Sequence, residues 1–125
     1  MKRLLPLLVI MALGLRSGAQ SKTTVANDSI LITIFLRHQQ DKNLDSLQKI
    51  QTKNKFRDMF PPASARVISW YVMMGIGQVV TVKIPAAELR TLNLSIERGA
   101  WGAFTSEFYP TYDYVPIWKE SRKKK

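Results

Sequence analysis

The 125 residues contain no cysteine and one histidine, His38. The first absence excludes a disulfide framework, thiolate metal ligation, a thiol nucleophile and lipid attachment to a cysteine behind a signal. The second leaves any metal centre to carboxylates such as Asp41 and Asp45, whose spacing lacks the glycine of a cation-binding loop, so neither metal nor cofactor is expected. Acidic residues are scarce as well: nineteen Lys plus Arg stand against nine Asp plus Glu, a net charge of +10. The apolar run Leu4 to Leu15 is about a dozen residues long, short of the roughly twenty that span a bilayer, so no permanent membrane anchor is expected.

That run instead reads as a secretion signal. Lys2 and Arg3 precede it and Ser17-Gly18-Ala19 ends it with small residues, which places cleavage after Ala19. The expected address is secreted or periplasmic, which disfavours nucleic acid as a partner. Removing residues 1–19 takes away Lys2, Arg3 and Arg16 and no acid, lowering the balance from +10 to +7 over a chain long enough to fold on its own core. The division expected is a signal at 1–19, a flexible leader at 20–28, one domain at 29–118 and a basic, solvated tail at 119–125. An anionic surface is the functional partner such a tail would meet.

Within the domain, Ser29 to His38 alternates as a central strand, with Ile30, Ile32, Ile34 and Leu36 to one side and Leu31, Thr33, Phe35 and Arg37 to the other. Asn43 can cap a helix in which Leu44, Leu47 and Ile50 recur; Phe56, Met59 and Phe60 continue its apolar face until Pro61-Pro62. Arg66 to Ile84 reads as a hairpin around Gly75-Ile76-Gly77. With Gly77 in the left-handed position of a three-residue loop, Ile68 opposes Ile84, Trp70 opposes Val82, Val72 opposes Val80 and Met74 opposes Gln78. Pro85 suits the start of a second helix with the stripe Leu89, Leu92, Ile96, Ala100 and Ala103, where Gly99 and Gly102 permit close backbone approach. Thr105 to Trp118 is dense in aromatic and β-branched residues and reads as a last strand, an edge or two short pieces because of Pro110 and Pro116.

Strand, helix, strand, strand, helix, strand is the order of an α+β, ferredoxin-like βαββαβ sandwich: a four-stranded antiparallel sheet with two helices on one face. The other face then exposes Leu31, Phe35, Tyr71, Met73 and Val79, which predicts a homodimer through the open sheet face. On this order, and on Gly77-Gln78-Val79-Val80-Thr81-Val82-Lys83-Ile84-Pro85 followed by Leu89 and Leu92, the chain resembles the dimeric α/β-barrel superfamily. Within it the stretch from about Ser29 to Tyr114 is most similar to the muconolactone isomerase-like proteins. The resemblance implies a sheet-to-sheet dimer and, for that branch, cofactor-independent proton transfer. The superfamily also holds cofactor-free monooxygenases, haem-degrading enzymes and proteins without known activity.

The candidate catalytic residues are His38 as a base at the end of the first strand, and Tyr112 and Asp113 as oxyanion holder and proton carrier. Candidate ligand contacts are Arg37, Tyr71 and Tyr109, with Trp70 and Trp101 as cavity walls. Arg37 and Lys83, on the open face, need an anion, either Asp113 or a substrate carboxylate. The function expected is an exported dimer binding a small apolar or aromatic ligand, with isomerase-like chemistry if His38, Tyr112 and a carboxylate converge. The alternatives are a noncatalytic cell-envelope protein whose barrel is an assembly device, and a haem-binding or monooxygenase-like relative that presents His38 to an iron.

Overall fold

The computed structural model describes residues 28–124. The signal expected at 1–19, and the leader up to residue 27, lie outside the described residues. Four strands, β1 (Ser29–His38), β2 (Arg66–Met73), β3 (Gly77–Pro85) and β4 (Phe104–Thr111), form one antiparallel sheet in the order β2-β3-β1-β4. Helices α1 (Leu44–Lys53), α2 (Phe56–Met59) and α3 (Leu89–Gly99) cover one face, and α4 (Val115–Lys123) follows the last strand. This is the ferredoxin-like sandwich. β1 is central, paired to β3 on one side and β4 on the other.

Alternation along β1 and β3 builds the sheet side of the core: Ile32, Ile34, Leu36, Val80, Val82 and Ile84 are all buried. The helices supply Leu47, Phe56, Phe60, Leu92 and Ile96, and Ala100 and Ala103 extend the α3 stripe beneath the following turn. Leu44 and Leu89, the first member of each expected stripe, are exposed, each being the first residue of its helix. The Asn43 side chain accepts a hydrogen bond from Ser46 N at 2.9 Å and caps α1 as expected. Gly99 permits the close approach of α3 and α2: a Cβ there would lie 2.8 Å from the Phe56 ring and 3.1 Å from the Phe56 Cα. α1 does not run on through Phe60. Lys55 takes a left-handed conformation, φ 55°, and restarts the chain as the short α2.

Three further differences from the sequence expectation have identifiable causes. The hairpin loop has the expected length but comprises Met74-Gly75-Ile76, with Gly75 left-handed at φ 75°, so Trp70 opposes Val80 and Val72 opposes Gln78. The shift is by two residues, so Trp70 keeps its helix-side position, edge-on to Phe60 at 5.5 Å. A bulge between Val67 and Ser69 reverses the phase further along β2 and takes Ile68 out of the helix-side row. Val72 and Met74 are exposed too, since β2 is an edge with no helix beyond it. Finally, the last strand stops at Thr111: the second proline that was expected to divide it sits in the first turn of α4, where its missing N–H is no loss. That helix crosses the expected boundary at Trp118 and carries most of the basic tail.

Candidate functional site

The open face is built from the odd positions of β1 and their cross-strand neighbours. Its centre is a row of hydroxyls in which Thr33 Oγ1 lies 2.9 Å from Thr81 Oγ1 and 3.1 Å from Thr111 Oγ1, with Ser69 opposite Thr81 on the edge strand. Toward the hairpin end lies an apolar row, Tyr71, Val79 and Phe35, closed on the β4 side by Glu107. Phe35 meets Tyr109 edge-on at 5.9 Å. Tyr109 donates its hydroxyl to Glu107 Oε2 at 2.9 Å, and this carboxylate holds the phenol above its ordinary pKa, by the hydrogen bond first and by its charge second. Arg37 lies 3.7 Å from Glu107. The anion that Arg37 needs is therefore Glu107, diagonal to it across the β1–β4 pair, rather than the expected Asp113.

At the other end of the sheet, around Ser29, a groove of about 580 Å³ is lined by Leu31, Arg66, Ile68, Lys83, Tyr112 and Asp113 among others. Arg66 and Lys83 are direct cross-strand partners. Like charges in that relation destabilise a sheet unless something neutralises them. Among the described residues neither forms an ion pair. Asp113 Oδ1 accepts a hydrogen bond from Val115 N at 2.8 Å, so this carboxylate is engaged at the entry to α4. Sequence reasoning placed Lys83 on the open face but missed Arg66 beside it, because the bulge that sets their pairing has no signal in the residue pattern.

The three expected catalytic residues are not brought together. His38 opposes Phe104 at the start of β4, whereas Tyr112 and Asp113 follow its end. β4 is 8 residues long, and at a rise of about 3.4 Å per residue roughly 25 Å separates the two groups. The His38 ring packs against Phe104 at a centroid distance of 5.4 Å, and its backbone N–H bonds to Ile76 O at 2.8 Å. These contacts place it at the hairpin end of the sheet, half-buried and away from Tyr112 and Asp113. Of the expected ligand contacts, Arg37, Tyr71 and Tyr109 share the open face, while Trp70 lies on the helix side and donates its indole N–H to Gln78 Oε1 at 2.7 Å. Trp101 is 73% exposed. It lines a separate groove of about 660 Å³ between α3 and β4, with Asn93, Glu97 and Thr105. Among the described residues no group of three or more His, Cys, Asp or Glu side chains is placed to hold a metal ion, and no helix is long and apolar enough to cross a membrane.

No protein-family model, curated protein or solved structure matches the chain. Its functional reading therefore rests on the open face and the groove.

Proposed function

We propose that the chain is an exported, homodimeric α/β-barrel protein that binds a small apolar or aromatic ligand bearing a carboxylate. Two copies pair through the open sheet face, and the partner roofs the groove at the Ser29 end. The observation that carries this reading is the pair Arg66 and Lys83, directly opposed and, among the described residues, in no ion pair, in a groove they share with the apolar side chains of Leu31 and Ile68. A carboxylate between them relieves the repulsion, each charge-assisted bond contributing about 1.5–3 kcal/mol, while the apolar lining takes the rest of the molecule. The likeness to the muconolactone isomerase-like proteins supports the paired architecture. The proton-transfer chemistry of that branch has no support in the separation of His38 from Tyr112 and Asp113, so binding is the function proposed.

The test uses the chain from Gln20 onward, which contains every core residue, since the core lies between Ile30 and Phe108. At micromolar concentration it sediments as a dimer. Tyr71→Lys sediments as a monomer: Tyr71 is 67% exposed, so the single domain tolerates the change, whereas a paired sheet would have to bury the ammonium. In calorimetry with trans-cinnamate and its neutral amide, the acid binds and the amide does not. Arg66→Gln/Lys83→Gln weakens the acid about a hundredfold or more. Equal binding of acid and amide, or a monomeric parent chain, would overturn the reading.

A further inference from the structure

α4 is held by its own turns and by little else. Every residue from Val115 to Lys123 is exposed, so among the described residues no other element buries any of its side chains. The contacts that define it are local: Val115 N to Asp113 Oδ1, Trp118 N to Tyr114 O at 2.9 Å, and Ser121 Oγ to Trp118 O at 2.7 Å. An isolated helix of this length is marginal in water, and helices of this kind normally owe their stability to a surface that takes the apolar side. At about 100° per residue, Tyr114, Ile117, Trp118 and Ser121 fall on one side, and Lys119 and Lys123 on the other. Ile117 and Trp118 are 49% and 46% exposed, and the Arg122 guanidinium sits 5.3 Å from the centroid of the Trp118 ring.

Charge selects the occupant of that apolar side. Lys119, Arg122, Lys123 and Lys124 lie within or beside the helix, and Glu120, 3.5 Å from Lys123, is its one acid. A second copy of the chain from Gln20 onward, itself of net charge +7, offers no excess of acid to receive this basic segment, whatever its sheet face does. A nucleic acid offers phosphates but no apolar phase for Ile117 and Trp118. An anionic bilayer offers both: headgroup charge for the lysines, whose stems can reach outward, and an acyl boundary at which tryptophan and tyrosine rest. We infer that α4 is an interfacial helix that docks the folded domain on the surface of an anionic phospholipid membrane, lying in its plane and not crossing it.

The experiment is co-sedimentation of the chain from Gln20 onward with vesicles of phosphatidylglycerol and phosphatidylcholine, against vesicles of phosphatidylcholine alone. Omitting the apolar run at Leu4 to Leu15 prevents that segment from supplying the binding. The parent chain binds the anionic vesicles, releases them as salt is raised, and ignores the neutral ones. Lys119→Gln/Arg122→Gln/Lys123→Gln binds about a hundredfold more weakly, and Trp118→Ala roughly tenfold, both with the parent's melting temperature because α4 supports nothing else in the fold. Equal binding to the two vesicle types, no binding to either, or variants that bind like the parent would overturn the inference. So would a Trp118→Ala chain whose oligomeric state changes, since that would assign the helix to a second copy.

Discussion

Gly77→Ala unfolds at a markedly lower urea concentration than the parent chain, with a loss of about 4 kcal/mol. Gly77 opposes Met73 on one side and Arg37 on the other, and its φ is 154°, a backbone conformation that L side chains rarely adopt. A Cβ at this position would run into the carbonyl oxygen of Leu36 and stand 3.0 Å from the Arg37 Cα. Both obstacles are backbone atoms of the central strand, so no rotamer change relieves them, and β3 must move away from β1. Gly75→Ala is the control. Gly75 is also left-handed, at φ 75°, but its Cβ would meet nothing within 4 Å. It carries conformational strain without a clash and loses only about 1 kcal/mol. Equal losses for the two variants would sink the argument that strand approach, and not turn conformation, is what requires glycine at 77.

Phe60→Ala loses about 3–5 kcal/mol in the same denaturation experiment. Phe60 is 1% exposed, stacks on Phe56 at a centroid distance of 5.3 Å with the rings 7° from parallel, and receives Trp70 edge-on. It ties the α2 segment to the edge strand, where few other side chains reach the core. Its removal therefore leaves a cavity and also frees the Trp70 ring, and tryptophan fluorescence shifts with the loss of stability. Val72→Ala on the same strand, 70% exposed, changes stability by less than about 0.5 kcal/mol. A Phe60→Ala chain as stable as Val72→Ala would mean that β2 is held by its ladder to β3 alone.

The architecture was legible wherever one periodicity ran without competition. The alternation of Ile30, Ile32, Ile34 and Leu36 and the helical recurrence of Leu92, Ile96, Ala100 and Ala103 name the two sides of the core, and the order of elements follows. Legibility failed where two local signals competed. Gly75 and Gly77 both suit a left-handed turn, and the choice between them depends on the approach of β1, which a hairpin's own residues do not report. Val115-Pro116-Ile117-Trp118 has the composition of a strand and the proline position of a helix start, and with no neighbouring strand available to pair it the helix prevails. The site was less legible because its parts belong to cross-strand relations. His38 and Tyr112 are far apart because β4 runs antiparallel to β1, and Arg66 meets Lys83 because of a bulge at Ile68.

The row joining Thr81, Thr33 and Thr111 bears on how such a face can meet its own image. Around a two-fold axis every group near the centre confronts a duplicate of itself. A carboxylate or an ammonium repels its duplicate, and an amide must be oriented to suit it. A hydroxyl is both donor and acceptor, so it is its own complement, and turning about its C–O bond is enough to set which role it plays. Threonines in the middle, with Arg37, Glu107, Arg66 and Lys83 held toward the two ends, make a surface on which a symmetric contact centred at the threonines would leave no like charges at the axis.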